Sequence, residues 1–357
     1  MSGIMSVTKF THTGDLFLKK YNVAIAGATG AVGVEFIKLL QERDFPLGSL
    51  KLLASHRSAG KTMDFKGEKL VVEELTESSF EGIDIAFFSA GGGRSKEYAN
   101  AAVKSGALVI DNSSAFRMDP GVPLVVPEVN PEDIEWNKGI IANPNCSTII
   151  LLMAVTPLIR LQKVKRIIVS TYQAASGAGA AAMQELIDQS RQVLDGEEAT
   201  KNSFPHQIAF NLFSHNTTIA DDGYNEEERK MIFESRKILH DDALMISATC
   251  VRVPVLRAHS ESVNIEFDGE RPTLDAIRSA LAAFPNVRLV DDRVANYFPM
   301  PLDASGIDET LVGRIRYDLS NPNAIDLFVC GDQILKGAAL NGYQIAEEWI
   351  RQQSAFV

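Results

Sequence analysis

The chain has 357 residues, of which 45% are hydrophobic and 23% charged, with a formal net charge of −11. This size predicts two domains and a core that needs neither disulfides nor metals. The acidic balance argues against nucleic acid as the main partner, because phosphate backbones ask for a basic surface; small anions need only a local basic cluster. Residues 1–20 read as a polar leader without the apolar core of a signal peptide, and Met5 offers an alternative start. No run of about 18 apolar residues occurs, so no membrane span is expected. Cys146, Cys250 and Cys330 form no CxxC pair, which gives no disulfide or metal pattern and fits a reducing, cytoplasmic setting.

From residue 21 the chain alternates short apolar runs with helical spacing. Strands are expected at Val23–Ala26, Leu50–Ala54, Ile83–Phe88, Leu108–Ile110 and Ile140–Ala142, with helices at Gly33–Glu42 and Arg94–Ser105. This rhythm predicts an α/β fold: a Rossmann-like parallel sheet, whose ligand lies beyond the carboxyl ends of the strands. Gly27-Ala28-Thr29-Gly30-Ala31-Val32-Gly33 follows the first strand and opens a helix, the setting in which backbone amides meet a pyrophosphate. After the second strand comes Ser55-His56-Arg57-Ser58, with no acid to accept a ribose hydroxyl. Arg57 and Ser55 suit a 2′-phosphate instead, so NADP is the expected cofactor.

Asn143-Pro144-Asn145-Cys146-Ser147-Thr148 lies between a short strand and the apolar run Ile149–Leu158. Cys146 is therefore expected at a helix N-terminus, where the dipole and open amides would lower a thiol pKa and make a nucleophile. Cys250 and Cys330 sit in apolar strand patterns and read as packing residues.

Beyond residue 147 the pattern changes. Segments 165–173, 245–253 and 261–267 are β-rich, and Asn321-Pro322-Asn323-Ala324 marks a hairpin turn. Helices are expected at 180–194, 226–239 and 273–283. This is an α+β catalytic and dimerisation domain with a mostly antiparallel sheet, spanning 147–334. Residues 335–352 have helical spacing, and segment 335–357 is expected to pack back on the cofactor domain, 21–146.

Gly27–Gly33, Asn143–Thr148, Gln173–Gly179, Arg252–Ser260 and Lys336–Ala339 together resemble the aspartate-semialdehyde dehydrogenase family, from about residue 21 to 352. The resemblance implies NADPH-dependent reductive dephosphorylation of aspartyl-β-phosphate to aspartate β-semialdehyde, a step toward lysine, threonine, methionine, isoleucine and diaminopimelate. It implies Cys146 as covalent nucleophile and His259 as acid–base group. Arg252 would hold the α-carboxylate, and Arg117 and Lys230 the phosphate. Glu227 would meet the amine, with Glu226 and Glu228 as neighbouring alternatives. Gln173 and Asn145 would orient the acyl group, and Ser89, Ser176, Gly177 and Gln333 would join the cofactor site. A homodimer or homotetramer is the expected assembly. Two other readings stand beside this one: N-acetyl-γ-glutamyl-phosphate reductase, whose acetylated substrate has no use for Glu227, and a catalytically silent nucleotide-binding paralogue.

Overall fold

The computed structural model describes residues 19–355, so nearly all of the expected leader lies outside the described residues. Seven strands form the first sheet: β1 (Tyr21–Ala26), β2 (Leu47–Ala54), β3 (Thr62–Phe65), β4 (Glu68–Glu74), β5 (Ile85–Phe88), β6 (Leu108–Asp111) and β7 (Ile140–Ala142). Their order is β3-β4-β2-β1-β5-β6-β7. All neighbours are parallel except the edge hairpin β3–β4. The central strands are apolar throughout, as sheets covered on both faces must be. Helix α1 (Ala31–Glu42) and the C-terminal segment cover one face; α2 (Gly92–Lys104) and Phe80 cover the other.

The second sheet has the order β12-β13-β14-β11-β8-β10-β9. Its strands are β8 (Val164–Gln173), β9 (Phe213–Ser214), β10 (Met245–Arg252), β11 (His259–Phe267), β12 (Val287–Leu289), β13 (Thr310–Tyr317) and β14 (Ala324–Gly331). Pairing is antiparallel except for β8–β10 and β12–β13. One face is packed by α3 (Cys146–Leu161), α5 (Glu226–Leu239) and α6 (Leu274–Ala283). The helix α4 (Ala180–Leu194) follows β8, and a short α7 (Pro301–Ala304) precedes β13. Every residue of α3 from Ser147 to Leu158 is buried, so it is a core helix with no solvent face.

The register of β13 shifts between Gly313 and Arg316. Gly313 is required there: a Cβ would lie 2.0 Å from the Val290 carbonyl oxygen. The C-terminal segment is not one helix. A wide π turn, Leu335–Ala339, precedes α8 (Leu340–Ala355). The Asp332 carboxylate takes the amides of Ile334 and Leu335, and the Ala339 amide reaches back five residues to the Ile334 carbonyl at 2.9 Å.

Lys336, in that turn, is fully buried. Its Nζ donates to Glu128 Oε2 at 2.5 Å, Gln344 Oε1 at 2.7 Å and Asn341 Oδ1 at 2.9 Å. Asn341 in turn donates to Asn143 Oδ1 at 2.6 Å, just before the Cys146 helix. Replacing Lys336 by Met leaves Glu128 buried and unpaired, a loss of about 3–5 kcal/mol. Urea unfolding should show that loss, and adding Glu128→Gln should recover part of it.

Candidate active site

Gly27 has φ +94°, and a Cβ there would lie 2.7 Å from the Ser89 carbonyl; at Gly33 a Cβ would lie 2.2 Å from the Gly27 carbonyl oxygen. The loop is therefore as tight as glycine permits. The amides of Gly27 and Ala28 donate to Leu53 O, and that of Gly30 donates to Gly27 O. Those three amides are engaged within the protein itself, so they fix the loop's shape. Ala31, Val32 and Gly33 open α1, where amides have no intrahelical acceptor.

A cleft on one side of the loop is lined by Gly27, Thr29, Gly30, Ser55, His56, Arg57, Glu74, Ser89 and Arg94. Arg57 is exposed on a short turn and makes no ion pair among the described residues. The Ser89 hydroxyl is buried without a partner. These features fit a dinucleotide's adenosine phosphate end. An acid from β4 stands in the same cleft: Glu74, whose Oε2 lies 3.2 Å from His56 Nδ1. Arg94 is a second cation that the sequence reading missed.

On the other side of the loop lies a cavity of about 350 Å³. Its lining includes Val32, Ser176, Gly177 and Gln333 together with Arg117, Asn145, Cys146, Gln173, Glu227, Lys230 and Arg252. A dinucleotide lying across the loop would join the two spaces. Gln333 accepts from the Ala258 amide at 2.8 Å and donates to Ser176 Oγ, so its side chain is fixed.

Cys146 is the first residue of α3 and is partly exposed in the cavity. Asn145 caps the helix: its Oδ1 accepts from the amides of Ser147 at 3.0 Å and Thr148 at 3.2 Å. Its Nδ2 donates to Glu227 Oε1 at 2.8 Å, and its own amide donates to Glu234 Oε2 at 2.6 Å. Gly337 of the wide turn packs on the nucleophile, where a Cβ would come within 3.0 Å of the Cys146 Cβ. The thiol is not acidified, contrary to its position at a helix start. Burial and the Glu227 carboxylate push it up to about 12, against the pull of Arg117, Lys230 and the Ser147 amide.

Among the three acids that open α5, the structure separates the roles. Glu226 is exposed. Glu228 forms a capping box with Asn225 and accepts from the Cys250 amide. Glu227 enters the cavity, accepts from Lys230 Nζ at 3.2 Å and Gln173 Nε2 at 3.3 Å, and is held down to about 2. Burial opposes that shift; Lys230, His215 and the Asn145 hydrogen bond produce it. Arg117 is anchored by Glu234 at 3.1 Å and by the carbonyls of Asn143 and Asn112, leaving two of its five N–H groups open.

Arg252 donates to Ala174 O at 2.9 Å and to His215 Nε2 at 2.6 Å, while its Nε has no partner. His259 is fully buried behind Gly177, where a Cβ would lie 3.1 Å from its Nε2. The Ala174 amide donates to His259 Nδ1 at 3.0 Å, so the neutral ring carries its proton on Nε2, which is unpartnered. Burial and Arg252 hold the ring neutral, with its pKa down to about 3. The ring does not itself line the cavity; its unpartnered Nε2 lies behind Gly177, which does. His215, Thr217 and Glu234 were not singled out from the sequence; His215 sits after a two-residue strand that carries no pattern of its own.

A Rossmann-type sheet with a glycine loop, joined to a mixed-sheet domain that supplies a charged cavity with a cysteine, defines a two-domain nucleotide-binding dehydrogenase. Two family models match the chain: semialdehyde dehydrogenase, NAD binding domain, at residues 22–137, and semialdehyde dehydrogenase, dimerisation domain, at residues 155–336. The chain belongs to the aspartate-semialdehyde dehydrogenase family. It is 57% identical to aspartate-semialdehyde dehydrogenase from Synechocystis, over 91% of this chain and 96% of that one. The identity to the Bacillus subtilis enzyme of the same name is 49%, over 91% and 96%. A solved structure of aspartate semialdehyde dehydrogenase II from Vibrio cholerae, complexed with ASA, superposes with a TM-score of 0.90 at 45% identity, covering 93% of this chain and 99% of that one. The N-acetyl-γ-glutamyl-phosphate reductase alternative is not favoured.

The position of Glu227 has a measurable consequence for the thiol. Alkylation of Cys146 by iodoacetamide should be slow at neutral pH and accelerate steadily as pH rises toward 10. Glu227→Gln removes a charge that disfavours the thiolate, so it should speed alkylation at pH 7.5 by about tenfold, the equivalent of one pKa unit. An unchanged rate would show that Glu227 does not act on the thiol.

Proposed function

We propose that the chain reduces aspartyl-β-phosphate to aspartate β-semialdehyde with NADPH, reversibly, through a thioester on Cys146. The observation that carries this reading is the convergence of Cys146, Arg117, Lys230, Glu227 and Arg252 on one cavity. Arg252 takes the α-carboxylate and Glu227 the ammonium. Arg117 and Lys230 take the phosphate, and Asn145 and Gln173 orient the acyl group.

The Cys146 thiol gives up its proton to the departing phosphate as the sulfur attacks the acyl carbon; a C–S bond forms, the bond to the phosphate oxygen breaks, and hydrogen phosphate leaves. A bound nicotinamide dinucleotide supplies the hydride at that carbon. The resulting thiohemiacetal oxyanion collapses to the aldehyde and returns the electron pair to sulfur. The Cys146 amide and His259 Nε2–H donate to the oxyanion. The residues that would hold the cofactor are the loop Gly27–Gly33 with Ala28, Ala31 and Val32, together with Ser55, Arg57, Ser89, Ser176, Gly177 and Gln333.

Residues 21–146 with the C-terminal segment 335–357 form the cofactor domain in this reading, and 147–334 the catalytic one. The enzyme works in the cytoplasm as a homodimer or homotetramer. The second sheet supports self-association: its open face carries Ile168 and Tyr172, both more than a third exposed, with the Phe328 ring 6.2 Å from Tyr172. Among the described residues, no helix is long and apolar enough to cross a membrane.

The deciding assay follows NADPH formation from aspartate semialdehyde, phosphate and NADP, with N-acetylglutamate semialdehyde as the control substrate. Activity is expected only with the first, and Cys146→Ala should abolish it. His259→Ala should slow it by about 10²–10³, the usual effect of losing one oxyanion donor. His259→Gln, which retains an N–H, should recover part. Activity with the acetylated substrate alone would replace this reading by the alternative.

Cofactor choice is tested by direct titration. Arg57→Ala should raise the Kd for NADP by at least about tenfold, the loss of a charge-assisted contact, and leave that for NAD nearly unchanged. Equal weakening of both would show that Arg57 does not read the 2′-phosphate.

A further inference from the structure

The proposed substrate carries a carboxylate and an ammonium on one carbon, so the groups that recognise them must stand at a fixed separation. Arg252 and Glu227 come from different elements: Arg252 ends β10, and Glu227 lies in the first turn of α5. The segment that bridges them is the edge strand β9 with the residues after it. Phe213 pairs with Arg252 and Ser214 with Val251 in the antiparallel ladder, and the His215 amide donates to Cys250 O at 2.8 Å.

Beyond the ladder, two side chains continue the bridge. Arginine only donates, so the 2.6 Å contact from Arg252 Nη2 fixes a lone pair on His215 Nε2. The His215 proton must then sit on Nδ1, from which it donates to Thr217 Oγ1 at 3.3 Å. Thr217 Oγ1 accepts a second bond from the Glu227 amide, also at 3.3 Å. An unbroken chain therefore runs from the guanidinium to the backbone of the acid. Both His215 and Thr217 line the cavity. The ring is 8% exposed, and burial keeps it neutral, with its pKa down to about 4, as an acceptor from a cation must be.

We propose that His215 and Thr217 are positioning residues that set the spacing of Arg252 and Glu227, and so make the cavity selective for an α-amino acid head group. The proposal rests on the roles given to Arg252 and Glu227 above. Without the bridge, Arg252 keeps its bond to Ala174 O but is free to turn about it, and Glu227 loses an anchor at its own amide. Each recogniser would still bind its charge; the pair would no longer bind both charges of one carbon together. A pre-set geometry of this kind contributes through entropy and orientation rather than new contacts.

The test compares aspartate semialdehyde with succinate semialdehyde, which lacks the amine, in the phosphate-dependent NADP assay. In His215→Ala the KM for aspartate semialdehyde should rise by about 10- to 100-fold, the effect of losing one hydrogen bond to a charged group, with a much smaller fall in kcat. The preference in kcat/KM for aspartate over succinate semialdehyde should fall by about the same factor. His215→Gln should restore most of the preference, because its amide oxygen accepts from Arg252 and its NH₂ donates to Thr217. Thr217→Val breaks only the second link and should shift the preference in the same direction by less; with His215→Asn it supplies the comparison if His215→Ala does not fold. An unchanged preference in His215→Ala, or an equal loss for both substrates, would overturn the proposal. A wild-type chain inert toward aspartate semialdehyde would instead overturn the reading of Arg252 and Glu227, a distinct result.

Discussion

A helix buried on every side cannot leave its first amides bare, and α3 solves this with one residue. Asn145 satisfies the amides of Ser147 and Thr148 through its side chain and that of Ile149 through its carbonyl. Its own amide is taken by Glu234. The Cys146 amide, the first of the helix, is left without an acceptor among the described residues. Since the other end of the Asn145 amide holds Glu227, and Glu234 also holds Arg117, the helix start, Glu227 and Arg117 form a single hydrogen-bonded unit. A change at any of them is felt at the others.

The second constraint comes from the far end of the chain. A regular helix from residue 335 would carry Gly337 along a tighter spiral; the π turn widens the path and lets the glycine lie against Cys146. Buried Lys336 fixes the turn, and Asn341 transmits its position to Asn143, which donates to Ala338 O at 2.9 Å. The nucleophile loop is thereby clamped between the sheet it leaves and a segment nearly 200 positions away. This explains a buried lysine with no place in the chemistry: three acceptors at its ammonium define one geometry.

The parallel sheet, its glycine loop and the helix start at Cys146 were legible because each rests on local rules: apolar strands, glycines that no Cβ can replace, and an Asn cap before an apolar run. Most of the site residues that come from the family resemblance line one cavity; His259 lies behind its Gly177 wall, and Ser89 lines the cleft on the other side of the loop. What stayed hidden depends on tertiary contact. His215 has no local signature, and its partner Arg252 lies 37 positions away. Glu74 reaches the cofactor cleft only because β4 pairs with β2, placing it beside Ala54. The helix start at Cys146 is local, whereas the burial and the Glu227 carboxylate that push its thiol up arrive through the fold.

Two of the cavity's three cations are paired before any substrate arrives; Arg252 has no acidic partner among the described residues. Arg117 is paired with Glu234, and Lys230 with Glu227. On the proposed chemistry the second pair is a placeholder: a substrate ammonium displaces Lys230 from Glu227, and the freed lysine turns to the incoming phosphate. Neither charge is ever buried alone, so binding avoids the penalty of an unpaired ion.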